Sequence, residues 1–225
     1  MKLIAIETAA EACSAALYLS GEISVRYKIV PRGHSELILE MVDDLLSTAD
    51  LIPASLDAVA FGRGPGSFTG VRIATGVTQG IAFAADLPVV GVSTLAALAQ
   101  RAYREKGERK LLTAFDARMG ELYWAGYKVG EKELVVPAIA EQVGSPQQVE
   151  IPFDDEWYGV GSGWGAYSEQ LERRLGSTLL GFKSEIYCSA REIALLAAED
   201  YQAGLAVAPE HALPVYLRNQ VANKM

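Results

Sequence analysis

Three strand patterns separated by almost no connecting chain open this sequence, and the alternation that follows them restricts the fold more than any other feature. Residues 2–7 form a short apolar run, 13–20 a second, and 23–30 alternate apolar with polar as a half-buried strand does. Gly21-Glu22 is the expected tight hairpin turn between the last two. Helical periodicity then covers 35–49, with Ser35 as the expected N-cap and Glu36 in the first turn. A strand at 58–61, a helix at 68–85, a strand at 88–93 and a helix at 94–105 follow, the last stopped by Gly107. An antiparallel three-strand meander leading into alternating helices and strands makes a mixed α/β sheet.

The second half repeats this order more weakly. Strands are expected at 110–116, 121–129, 133–136 and 157–160, a glycine-rich turn at 161–165, and helices at 167–175 and 190–204. A duplicated β-β-β-α-β-α unit is the plan of the actin, Hsp70 and sugar-kinase superfamily, so the expected class is α/β and actin-like with a reduced second half. The short charged stretch Lys106-Gly107-Glu108-Arg109-Lys110 divides the chain into 1–106 and 107–225, the last segment being a candidate to return and pack on the first unit.

Composition narrows the function classes. The net charge of −8 repels phosphate backbones, which argues against a principal nucleic-acid binder. No apolar run approaches the roughly 20 residues of a membrane span, and Glu7 interrupts the N-terminal run, so a cytoplasmic protein is expected. Cys13 and Cys188 lie far apart and outside any C-x-x-C pair, as two buried free thiols would.

The stretch Gly62-Arg63-Gly64-Pro65-Gly66-Ser67-Phe68-Thr69-Gly70 leads into a helix. Such a turn can cradle phosphate, but it lacks the Walker lysine and the dinucleotide-binding spacing. Close packing of the helix is the expected role of its glycines. Along that helix Gly66, Gly70, Ala74, Thr78 and Ala82 form one row of small residues, and Gly76, Gly80 and Ala84 form another. Its polar face shrinks to about Arg72, Thr75 and Gln79. The apolar residues of helix 35–49 span an arc of roughly 200°, against about 100° for a helix that packs on its own domain alone. Either both helices are deeply buried or a second protein covers part of them. The expected partner interface is Leu37, Ile38, Met41, Val42 and Leu45 with Gly70, Ile73, Ala74, Val77, Thr78 and Ile81.

Catalytic candidates are sparse. His34 has no nearby ligand set, and the other histidine, His211, lies far along the chain, so no metal site is expected. Glu7-Thr8 could meet a phosphate or magnesium as acidic residues do in actin-like ATPases, but Ala9-Ala10-Glu11-Ala12 is poor in phosphate-wrapping residues. Gly159 to Gly163 would be a remnant second nucleotide loop or a plain turn. No catalytic residue or cofactor is assigned; the alternative is an independent actin-like ATPase or small-molecule kinase.

The segments Ile4-Ala5-Ile6-Glu7-Thr8, His34-Ser35-Glu36, Gly64-Pro65-Gly66-Ser67-Phe68-Thr69-Gly70-Val71-Arg72, Gly91 to Ala99 and Pro214-Val215-Tyr216-Leu217-Arg218 closely resemble the TsaB (YeaZ) family. The resemblance implies the actin-like fold and a non-catalytic subunit of a transfer-RNA-modifying complex. The implied partners are TsaD, which transfers a threonylcarbamoyl group from threonylcarbamoyl-AMP to adenosine 37, and the ATPase TsaE. It also implies pairing with TsaD through N-terminal helices, and homodimers by the same surface when alone.

Overall fold

The computed structural model describes residues 1–151 and 156–218. Strands β1 (Lys2–Glu7), β2 (Ala12–Leu19) and β3 (Glu22–Ile29) are followed by α1 (His34–Thr48), β4 (Ala58–Gly62), α2 (Phe68–Ala85), β5 (Val89–Val92) and α3 (Thr94–Lys106). They build a sheet of order β3-β2-β1-β4-β5, antiparallel across the meander and parallel from β1 to β5. The second half supplies β6 (Lys110–Arg118), β7 (Glu121–Val129), β8 (Val135–Gly144), β9 (Trp157–Val160), α4 (Ser162–Leu175), β10 (Leu179–Lys183) and α5 (Ala190–Gln202). Its sheet runs β10-β9-β6-β7-β8, the same order read from the other edge. The duplication is therefore topological as well as patterned, and the fold is the actin-like α/β class. Among the described residues between β8 and β9, a three-residue 3-10 turn stands where the first half has α1.

Period-2 alternation explains the layering. On β1, Leu3 and Ala5 face a central core between the sheets, while Ile4 and Ile6 face an outer core beneath α1 and α2. Both faces are covered, so the strand reads as a continuous apolar run. α3 packs on β6, β7 and β8; α5 packs on β1, β2, β4 and β5; and the two helices meet between the sheets. α4 covers the outer face of the second sheet, where Trp124, Trp157 and Trp164 are buried. α5 thus lies against the first sheet, with the Ser14 hydroxyl accepting from the Ala190 amide at 2.9 Å.

Four local expectations are corrected. The β2–β3 turn is centred on Ser20-Gly21, whose φ angles of 50° and 103° are both left-handed, which sets Leu19 opposite Glu22. α1 starts at His34 with Gly33 as its N-cap, and no side chain caps it. β8 runs to Gly144 rather than stopping near 136, because an edge strand tolerates Pro137. The 161–165 turn is the first turn of α4, kinked at Tyr167. β10 is an additional strand that the sequence pattern does not announce.

The N-cap of α3 is Ser93, whose hydroxyl accepts from the Ala96 amide at 3.2 Å. Ser93→Ala is expected to lower stability by about 1 kcal/mol, read as a shift of the urea midpoint at constant slope.

Candidate partner-binding face and sealed strand end

The glycine-rich stretch between β4 and α2 lies against the end of β1. Three glycines make the approach possible. A Cβ on Gly62 would fall 1.9 Å from Glu7 Oε2, one on Gly66 2.4 Å from the Ala9 carbonyl oxygen, and one on Gly70 2.1 Å from the Thr8 carbonyl oxygen. Hydrogen bonds close the seam: the Ser67 amide donates to Ala9 O at 2.7 Å, and the Thr8 hydroxyl donates to Gly70 O at 2.7 Å. Ser67 caps α2 by accepting from the Gly70 amide. The Ser67 and Gly70 amides are therefore engaged within the chain, which matches the packing role expected of these glycines.

Glu7 is fully buried under this seam. Its Oε1 accepts from the Ala9 amide, while Oε2 has no partner. Burial pushes its pKa up to about 7, the Ala9 hydrogen bond opposes this, and the Glu11 charge adds to it. The folded chain holds this proton up to about pH 7, whereas an ordinary glutamate releases it near 4.5. The contribution of Glu7 to stability is therefore full below pH 4.5 and declines as pH rises to 7. Glu7→Gln is expected to abolish that decline. Urea unfolding at pH 4.5 and pH 8 should show the variant gaining about 3 kcal/mol on the native chain across the interval; parallel pH profiles would contradict this.

The two thiols are free and buried. Cys188 donates to Thr94 O at 3.2 Å, and burial holds Cys13 up at about 11. His34 sits at the first position of α1, where its carbonyl oxygen accepts from the Cys13 thiol. Among the described residues, no group of three or more His, Cys, Asp or Glu side chains is placed to hold a metal ion. No helix among them is long and apolar enough to cross a membrane.

The eleven residues of the expected interface divide in two. Ile38, Val42, Leu45, Gly70, Ala74 and Thr78 are buried by their own chain; Ala74 is 0% exposed and Val42 5%. Leu37, Met41, Ile73, Val77 and Ile81 pack on the outer core but remain partly open. The small row Gly70-Ala74-Thr78-Ala82 is the one turned inward. The second row, Gly76-Gly80-Ala84, is exposed, and a Cβ built on Gly76 or Gly80 meets nothing within 4 Å. Phe83 beside it is 79% exposed. At about 100° per residue, Phe83, Gly76, Gly80, Ile73, Ala84, Val77 and Ile81 form one continuous open arc of roughly 160° without a charge. Thr75, expected on the polar face, is buried, and its hydroxyl donates to Val71 O.

One flank of this arc is closed by the C-terminal segment. The Gln79 side-chain amide donates to Pro209 O and Ala212 O at 3.2 and 3.1 Å, and the Val215 amide donates to Arg63 O at 2.8 Å. Arg72 lies 3.7 Å over the Phe68 ring and donates to the Tyr216 hydroxyl at 3.0 Å. Neither Phe68 nor Tyr216 was assigned a role from sequence. The available signal was that both lie in family-like segments, at opposite ends of the chain.

Comparison with known proteins gives one answer. A family model described as TsaD, tRNA N6-adenosine threonylcarbamoyltransferase, matches residues 24–224. An Escherichia coli protein, "tRNA threonylcarbamoyladenosine biosynthesis protein TsaB", is 43% identical over 235 residues covering 100% of this chain and 97% of its own length. The protein of the same description in Haemophilus influenzae is 38% identical, covering 100% and 96%. The chain belongs to the TsaB (YeaZ) family. The structure of YeaZ from Pseudomonas aeruginosa superposes with a TM-score of 0.89 at 44% identity, covering 96% of this chain and 99% of that one. Within the TsaB fold seen here, the row of small residues left open is the one outside the expected interface. Both rows repeat small residues every four positions, so sequence alone does not separate them.

Proposed function

We propose that this chain is an accessory subunit in the formation of N6-threonylcarbamoyladenosine on transfer RNA, binding a TsaD-like catalytic chain through the open face of α1 and α2. The uncharged arc on α2 carries this reading. A helix that had finished packing would turn polar residues outward; here Gly76, Gly80 and Ala84 let another backbone come close between Phe83 and Val77. Leu37 and Met41 of the adjacent α1 extend the apolar area, as half of a four-helix interface would. The pathway named for the TsaB relatives supports the assignment, and the net charge of −8 agrees with a subunit that leaves most RNA contact to its partner.

A TsaE-like ATPase as a further partner, a homodimer by the same face when alone, and a cytoplasmic location belong to the same proposal. The independent ATPase reading needs Glu7 at a phosphate or magnesium. Its enclosure beneath Gly62 favours the subunit reading instead.

The test is reconstitution. A cognate TsaD-like chain, given threonylcarbamoyl-AMP and transfer RNA, should modify adenosine efficiently only when this chain is added. Transfer by the catalytic chain at an equal rate in its absence would defeat the proposal, as would transfer by this chain alone.

A further inference from the structure

A pocket of about 810 Å³ opens between the two halves of the molecule, away from the face of α1 and α2. None of its lining residues belongs to those helices, to the Glu7-Thr8 strand end or to the 161–163 loop. Its volume is that of a small-molecule site, and its walls are largely apolar, with Val92, Ala96, Val135, Ile139 and Leu196 from both halves. The hydroxyls of Ser93 and Tyr127, also in the lining, are paired at 3.2 Å.

The charged groups decide what such a site would accept. Arg63 follows directly after β4, Glu131 and Lys132 come from the β7–β8 turn, Glu141 from β8, and Glu199 and Asp200 from the end of α5. Four carboxylates thus face two cations. Both cations are engaged: Arg63 donates to the two carboxylate oxygens of Glu141 at 3.2 and 3.3 Å, and Lys132 pairs with Glu199. An anionic ligand would have to break one of these pairs. Asp200 is half-buried, and burial raises its pKa above the ordinary carboxylate value against the opposing charge of Arg63. A desolvated carboxylate beside an apolar wall gains from an incoming cation.

We propose that this pocket is a binding site for small cationic amphiphiles, with the apolar body against Val92, Val135 and Leu196 and a protonated amine at Asp200. This site is independent of the partner-binding face.

Two same-shaped probes and one neutral one test it by amide NMR titration of the full chain. 2-Phenylethylammonium should bind with a Kd in the millimolar range, as expected for so few heavy atoms, moving the amides of Val92, Tyr127, Val135 and Leu196. 3-Phenylpropionate should bind at least about tenfold more weakly, the cost of placing an anion beside the Asp200 carboxylate while Arg63 and Lys132 stay engaged with Glu141 and Glu199. Asp200→Asn, an isosteric change at a half-exposed position, should bring 2-phenylethylammonium down to the level of 2-phenylethanol while leaving the spectrum otherwise native. Equal binding of the anion and the cation, an unchanged preference in Asp200→Asn, or movement of amides only outside the pocket would each overturn the proposal.

Discussion

Gly70→Ala is expected to destabilise the chain by about 4 kcal/mol, at the upper end of what single substitutions do. The added methyl would lie 2.1 Å from the Thr8 carbonyl oxygen and 3.0 Å from its carbon. That neighbour is backbone, one residue past the end of β1, whose last residues pair with β2 and β4, so no flexible side chain can swing away. The helix would have to lift from the strand end, uncovering Glu7 and breaking the Thr8 to Gly70 hydrogen bond. The control is Gly76→Ala on the same helix. There the methyl points into open space, and replacing a helical glycine should add about 1 kcal/mol. Urea denaturation of both variants checks the pair. Similar midpoints would contradict the close approach of α2 to β1.

Gly80→Arg should separate folding from pairing. In the monomer the position is open and arginine is a better helix former than glycine, so monomer stability should hold or rise slightly. At an interface the same side chain brings bulk and an unpaired charge into an apolar seam, a cost of about 3–5 kcal/mol that weakens association at least about a hundredfold. Modification activity in the reconstituted system should then fall to the level seen without this chain, at concentrations where the native chain saturates. Val42→Glu and Ala74→Arg are poor substitutes. Both positions are buried in the chain's own outer core, so either change would unfold the chain before testing its surface.

The topology was readable because the strongest patterns carried it. The β1–β3 meander, the α2 boundaries at 68 and 85 and the α3 stop at Gly107 follow from periodicity and capping chemistry that act within a few residues. The elements that escaped depend on tertiary context. β10, Leu-Leu-Gly-Phe-Lys, is a five-residue edge strand with no buried residue; it has no polar alternation, and Gly181 breaks its short apolar run. β8 outlasts its apolar start because β7 pairs with it along its length despite Pro137.

The candidate site was half legible. An excess of small and apolar residues on α1 and α2 could be seen, but the rotation of α2 could not. That rotation is set by Gly62, Gly66 and Gly70 meeting Glu7, Ala9 and Thr8 across some 60 residues of chain, which turns Ala74 and Thr78 inward and leaves Gly76 and Gly80 outside. The same contact explains Glu7. Its position at a strand end suggested a phosphate, and only the packed glycines reveal a sealed carboxyl.

Light scattering after size-exclusion chromatography tests pairing most directly, using this chain, native or Gly80→Arg, mixed with a cognate TsaD-like chain. Pairing through the outward side of α2 predicts one native peak at the summed mass of the two chains and two separate peaks for the variant, whose unfolding midpoint is no lower than that of the native monomer. A variant that still elutes at the summed mass would place the contact somewhere else on the molecule.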